Sequence, residues 1–510
     1  MSVSILILIG NWLLEGNFRD KFRILGSRVS ILVFSGIILI HLLWLLNTSD
    51  FGYAFKDIRI KMPLLALPVI MGTSKPVTPA QLKIIVLFFI GSVLAGSIIS
   101  TFILFGLTGV VVTDIRDISP FISHIRFSLS INVAIFSLGF LLYSKEKHFR
   151  RIESAFYTIS LIWLVVFIFM LQSMTGIVIF LIVGFFSSVL FVRTLNDFIL
   201  KYFLIILMFI IPLIIVAYIS RAIVGFYRIT ETGRDDIELT TANGNPYFHD
   251  FNNKQVENGS YIWLYVCEKE LAQEWNKRST FSYSGKDMKD QEIKYTLIRY
   301  LTSRGLRKDS LGISRLSESD IKNIEDGVGN YIYALDKGLN QLLYGFIWQI
   351  DIYRKGGDPS GHSITQRLEY LKTAIQIIRQ NFWFGVGTGD VQQTFDDQYI
   401  ESNSMLSEKW RLRAHNQFVT FFISFGLFGF LFTVLTIFYP LVAERKYEDF
   451  FFMVFFLIAF LSMLNEDTLE THAGATFFSY FYSLFLFARN KKWFIMKGSI
   501  EKNSEQYGYG

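Results

Sequence analysis

Cysteine and charge are what this 510-residue chain has least of. Its one cysteine, Cys267, cannot close an internal disulfide, which argues against a disulfide-stapled secreted domain. Charged residues are only 18% of the chain, against about a quarter in an ordinary soluble domain, which argues against a soluble enzyme and a disordered protein alike. Familiar catalytic signatures are missing too: there is no P-loop, no G-x-S-x-G elbow and no H-E-x-x-H helix. In their place stands apolar sequence, 52% hydrophobic and 17% aromatic, with 52 phenylalanines. Long apolar runs of this kind mark membrane spans.

Runs near the length needed to cross about 30 Å of hydrocarbon fall at residues 30–48, 82–109, 122–143, 154–171, 174–192 and 201–220, and again at 415–440, 448–465 and 473–489. Two shorter runs, 2–14 and 60–73, are marginal crossings or re-entrant segments. Basic clusters occupy the connections: Arg19, Lys21, Arg23 and Arg28; Lys145, Lys147, Arg150 and Arg151; Arg193 with Lys201; Arg445 with Lys446; Arg489, Lys491 and Lys492. If both short runs cross, all these clusters fall on one side, the cytoplasm by the positive-inside rule. The sequence therefore predicts an all-α polytopic membrane protein of about eleven spans, N-terminus out and C-terminus in. An out-facing N-terminus directly on a short span suggests a start inside the bundle. Residues 1–14 also lack the basic region and cleavage site of a signal peptide.

Residues from Arg221 to His415 carry 25 basic and 26 acidic side chains, leaving 24 basic and 17 acidic elsewhere. The basic surplus thus belongs to the membrane portion and reads as cytoplasmic loops, not as a nucleic-acid surface. The domain plan that follows is an N-terminal bundle at 1–220, a mainly helical periplasmic domain at 221–414, closing spans at 415–490 and a cytoplasmic tail at 491–510. The outer segment, roughly 190 residues, is far longer than a connection.

The spans at 82–109, 154–171 and 174–192 hold no Asp or Glu, which disfavours a proton-coupled carrier. Arg126, just inside the outer end of its span, needs a wet or anionic cavity or else snorkels to the headgroups. Arg221 closes its span on the outer side, against the orientation rule, and Arg228 follows two turns later; both are either functional cations or anchors.

The stretch SITQRLEYLKTAIQIIRQNFWFGVGTGD predicts a helix opened by a capping box of Ser363 and Gln366. Leu368, Leu371, Ile375 and Ile378 form its apolar, inward stripe, with Glu369, Lys372, Gln376 and Arg379 opposite. Arg367, on the edge of that stripe, calls for a carboxylate or phosphate partner. Gly385, Gly387 and Gly389 lack dinucleotide-loop spacing and read as a helix stop and tight turn. His415 and Asn416 stand where the chain re-enters the membrane, either as an interfacial anchor or as donors to an anion. The outer connection NEDTLETHAG offers Glu466, Asp467, Glu470 and His472, without the spacing of a metal site. Asp396-Asp397 is weak as a magnesium site.

Taken together, Arg126 in IRFSLSINVA, Arg367 in SITQRLEYLKTA, the FWFGVGTGD turn, His415-Asn416 in RAHNQFV and NEDTLETHAGATFFSYF resemble the O-antigen ligase family, relatives of which include O-antigen polymerases and protein O-oligosaccharyltransferases. There are departures: twelve spans are usual in that family, and its frequent Ser-Arg-x-Gly reads here Ser173-Met174-Thr175-Gly176. The segment from about 235 to 345 is also long for the family.

The resemblance implies inverting glycosyl transfer at the periplasmic face of a bacterial inner membrane, without metal or other cofactor. The donor would be a glycan on undecaprenyl diphosphate and the acceptor a lipid A–core sugar. Arg126, Arg221 and Arg367 would bind the diphosphate. His415 would contact phosphate or take the acceptor proton, with Asn416, Arg228 and Glu466 as further candidates, and Tyr and Trp side chains of the outer domain could stack on sugars. A polymerase or a protein-modifying enzyme shares these features, and a transporter of the lipid-linked glycan is the alternative outside the enzymes.

Overall fold

A computed structural model describes residues 3–110, 112, 114–143, 151–229, 237–335 and 339–489. The basic residues Lys145, Lys147, Arg150, Lys491 and Lys492, and the tail at 491–510, lie outside the described residues.

The described residues are mainly helical, and their paired strands form a two-residue hairpin of Val256–Glu257 with Ser260–Tyr261. Each of the eleven apolar runs expected from the sequence forms helix. Among the described residues, seven helical segments are long and apolar enough to cross a membrane: Val29–Asn47, Pro79–Leu104, His124–Tyr143, Arg151–Met170, Met174–Arg193, Phe198–Tyr227 and Gln417–Ala443. The remaining four runs give the shorter helices Val3–Leu14, Pro63–Thr73, Phe450–Met463 and His472–Leu486.

The chain divides into two compact units, Met1–Met208 with Gln366–Gly510, and Phe209–Thr365. In the first, Val29–Leu43 packs against Gln417–Ala443 and Pro63–Thr73, while His124–Tyr143 packs against Arg151–Met170, Met174–Arg193 and Phe450–Met463. Aromatic rings fill the seams; Phe34 stacks on Tyr482 with centroids 4.2 Å apart. Lipid tails are as apolar as leucine, so close packing and buried hydrogen bonds hold such helices together. At Gly176 an added Cβ would sit 2.4 Å from Ser128 Cβ. The bare backbone there lets Asn132 Nδ2 donate to the carbonyls of Ser128 and Gly176, at 2.9 and 3.0 Å.

The second unit has its own core, built from Val266, Leu271, Trp275, Leu297, Tyr300 and Ile321 on the helices Glu268–Arg278, Ile293–Ser303 and Glu318–Glu325 and the segment before them. Two buried carboxylates brace it. Glu257 takes Arg299 and Asn330, and Glu270 accepts from Thr241, Asn245 and Ser310. It is a folded domain, not an extended connection.

The glycine-rich turn after Gln380 does more than stop a helix. The Gln417–Ala443 helix breaks at Gly426, where φ is 61° and ψ is −168°. Into that break runs the turn: Val386 N donates to Ile423 O and Gly387 N to Ser424 O, each at 2.9 Å, and Leu427 N donates to Phe382 O at 2.8 Å. A Cβ on Gly385, itself at φ 68°, would meet the backbones of Ile423 and Gly426 at 2.5 Å. Asp390 then accepts from Ser49 N, Ser49 Oγ and Asp50 N, pinning the turn to the end of the Val29–Asn47 span. The break thus fixes the segment that joins the Arg367 helix to the bundle.

Candidate functional site

The helix bearing Arg367 runs Ser363–Gln380. Its buried face is not the one expected. Of the expected stripe, Leu368, Leu371 and Ile375 are all more than 40% exposed and Ile378 alone packs partly buried on the core, whereas Tyr370, Thr373, Ala374 and Ile377, together with Glu369, are buried. Periodicity identified a distinct apolar stripe, but an apolar stripe in a lipid-embedded chain does not have to face protein.

Arg367 leaves this helix and pairs with Glu466, Nη2 to Oε1 at 2.8 Å. The other oxygen of Glu466 lies 3.4 Å from Nδ1 of His415. His415 holds a left-handed backbone, φ 48°, and its ring lies against Tyr370, with centroids 5.5 Å apart. Tyr370 is fixed in turn by donating its hydroxyl to the Trp410 carbonyl at 2.9 Å. Burial pushes this phenol up to about 12, so it stays a donor at ordinary pH.

Asn416 has a backbone task. Its side chain caps the helix Gln417–Ala443, accepting from Phe418 N and Val419 N at 3.1 Å, and donates to Leu464 O at 2.8 Å. This ties the His415 turn to the connection carrying Glu466. Arg126 begins the helix His124–Tyr143 half-buried, with Nη1 donating to Ser123 Oγ at 3.1 Å; its buried Nε has no hydrogen-bond partner among the described residues, and Glu466 is within electrostatic reach. Arg367 and His415 therefore meet on one partly buried carboxylate, with Arg126 in its electrostatic range. Arg221 and Arg228 belong to the other unit, on and just after the helix Phe198–Tyr227, and both are exposed.

Behind Glu466 lies a second, buried network. Glu470 accepts from Lys61 Nζ and Gln417 Nε2, each at 2.9 Å, and Arg413 approaches it at 3.5 Å. Lys61 also binds Asp57 at 2.5 Å, and Arg413 reaches Tyr53 and Gln392. Burial alone would raise the Glu470 carboxyl, but Lys61 and Arg413 outweigh it and hold it down to about 2. Burial and the charge of Glu470 push neighbouring Asp467 up to about 6, although Thr420 donates to it at 2.7 Å. Gln417 closes the loop, accepting from Leu469 N at 2.6 Å. Asn465 donates to Thr175 at 2.7 Å, so the Ser173-Met174-Thr175-Gly176 stretch touches the same connection.

Lys61, Asp57 and Gln417 did not stand out in the sequence. Asp57 and Lys61 are four residues apart on the helix Phe51–Lys61, a spacing that marks a helical ion pair, but the run after them drew attention only by its hydropathy. Asp396 and Asp397 accept from Gln392 and Gln393, one helical turn back. Among the described residues no group of three or more His, Cys, Asp and Glu side chains is placed to hold a metal ion.

A family model described as O-Antigen ligase matches residues 327–434, which include the Arg367 helix, the glycine turn, His415 and the break at Gly426. Over that segment the chain is similar to the O-antigen ligase family. No curated protein matches the chain at a significant level.

Proposed function

We propose that the chain transfers a glycan from undecaprenyl diphosphate to a lipid A–core sugar, with inversion, at the periplasmic face of the inner membrane. The observation that carries this reading is the meeting of Arg367 and His415 on Glu466, with Arg126 in its electrostatic range. In the reaction an acceptor hydroxyl attacks the anomeric carbon, the C–O bond to phosphate breaks, and the diphosphate leaves with the electron pair. Charge grows on the phosphate oxygens as that bond lengthens. Guanidinium groups already in place stabilise it without reorganising, and one such donor is typically worth about 10²–10³ in rate.

The arriving diphosphate competes with Glu466 for Arg367 and supplies a partner for the unsatisfied Nε of Arg126. His415, with Nδ1 turned toward Glu466, presents its other ring nitrogen either to a phosphate oxygen or to the acceptor proton. Assignment of Arg221 and Arg228 to the diphosphate, and of Tyr and Trp side chains between residues 221 and 414 to the sugars, rests on the sequence alone.

Deletion of the gene, followed by electrophoresis of lipopolysaccharide, tests the acceptor. Loss of all long chains over a full-length core is the expected result. A core bearing one repeat would point instead to a polymerase, and unchanged lipopolysaccharide with missing glycoprotein to a protein-modifying enzyme.

A further inference from the structure

A cleft of about 480 Å³ opens between the helices Pro79–Leu104 and His124–Tyr143 and the segment that joins them. Phe89, Val93, Gly96 and Ser100 line it from the first helix. Their spacing of four, three and four residues puts them on one helical face. The cleft is therefore a slot about 16 Å long, at about 1.5 Å of rise per residue. Phe127 forms the opposite wall, and a Cβ added to Gly96 would come within 3.2 Å of its ring. Phe121, 70% exposed, stands where the slot meets the surface.

Four serines line this slot, and they divide into two pairs. Ser92 donates to the Phe89 carbonyl at 2.7 Å and Ser130 to the Arg126 carbonyl at 3.1 Å, each within its own helix. Ser100 and Ser119 differ. Ser100 is 1% exposed, and both hydroxyl oxygens are buried with no hydrogen-bond partner among the described residues. A buried hydroxyl without a partner is unfavourable in apolar surroundings. Two of them on one slot call for a polar atom brought in by an occupant.

Depth narrows the choice of occupant. The Pro79–Leu104 helix has 26 residues, about 39 Å of length against about 30 Å of hydrocarbon. Centred in the bilayer, it overruns the hydrocarbon by about 4–5 Å at each end. Ser100, about 6 Å from the end of its helix, then falls near the boundary between hydrocarbon and headgroups. This is the end of the bundle that carries Glu466, because Arg126, within reach of that carboxylate, starts the facing helix. The ester carbonyls of a glycerophospholipid lie at that boundary, and its acyl chains run inward from it, as the slot does from Ser100 to Phe89. A polyprenyl tail is equally apolar but brings no acceptor, so it would leave both hydroxyls unpaired.

We infer that the slot holds one acyl chain of a glycerophospholipid, with Ser100 and Ser119 donating to its ester carbonyl. This inference does not depend on the transfer reaction.

The test strips the detergent-purified full chain of lipid and compares diacyl-phosphatidylcholine with its dialkyl ether analogue, which has the same headgroup but no ester carbonyl. Bound lipid is read by native mass spectrometry. The diester should bind about tenfold more tightly than the ether, the size of one or two hydrogen bonds. Ser100→Ala combined with Ser119→Ala should fold as well as the parent and bind the two lipids alike. Ser92→Trp, which puts a ring into the slot from an exposed position, should lose both. Equal binding of ester and ether by the parent, or an unchanged preference in the double variant, would overturn the assignment of the hydroxyls. Displacement of the diester by lower concentrations of undecaprenyl phosphate or of lipid A would overturn the glycerophospholipid in favour of that lipid. No binding at all, or parental binding by Ser92→Trp, would overturn the site.

Discussion

Glu466 and Glu470 lie one helical turn apart in the same connection, and each meets an arginine. Their surroundings differ. Glu470 is closed in by Lys61, Arg413 and Gln417, with Asp57 behind Lys61. Glu466 is only partly buried and meets Arg367 and His415, whose side chains are 34% and 31% exposed. A carboxylate with every oxygen engaged inside protein is part of the framework. One that shares its partners with open space can yield them to another anion. The comparison separates a scaffold from a site within five residues of chain.

The two regions should therefore fail in different ways. The largest effect is expected on transfer: Arg367→Ala and His415→Ala should each reduce glycan transfer by about 10²–10³ or more, with membrane insertion and unfolding temperature kept near parental values. In the buried network, Glu470→Ala takes the carboxylate from Arg413 and leaves Lys61 with Asp57 alone. Breaking a buried pair from one side typically costs about 3–5 kcal/mol, so this variant should show a lowered unfolding temperature and poor yield; parental stability would refute the scaffold role.

Glu466→Gln should have a smaller effect. It keeps the shape but removes the charge that steadies His415, and a drop in transfer of about tenfold without loss of stability is expected, the size of one weakened charge-assisted contact. Unchanged transfer would reduce Glu466 to a passive counter-ion.

The smallest effect concerns pH. Asp467 is raised from the ordinary carboxylate range to about 6 by burial and Glu470. A raised acid binds its proton more tightly in the folded state, so its contribution is fully present below about pH 4 and is lost as pH rises through 6. Asp467→Asn, which mimics the protonated form, should gain unfolding temperature relative to the parent between pH 5 and pH 7.5. A pH-independent difference would contradict this.

Much of the fold was legible in the sequence because lipid imposes a simple demand. A segment must be long, apolar and helical to satisfy its backbone there, and all eleven expected runs are helices. Arg367 was also readable as a guanidinium in need of an anion. Its partner was not, since Glu466 lies 99 positions away. The same distance problem hid Lys61, whose second carboxylate is 409 residues along the chain.

The exposed stripe of Leu368, Leu371 and Ile375 shows a different limit. Helical periodicity marks a face as apolar without saying what covers it. Here the side that packs on protein is led by Tyr370, Ala374 and Ile377, which also positions the ring under His415. The break at Gly426 was equally silent, because its need for glycine comes from the backbone of Trp383 and Phe384 pressing against it.

The account rests on cations around Glu466 acting on a leaving diphosphate. Its most direct test is transfer by the purified chain in liposomes loaded with polyprenyl-diphosphate-linked glycan and acceptor, following release of polyprenyl diphosphate. The parent should release it in step with glycan attachment, and Arg367→Ala and His415→Ala should release almost none while remaining folded. Parental release by both folded variants would contradict the account.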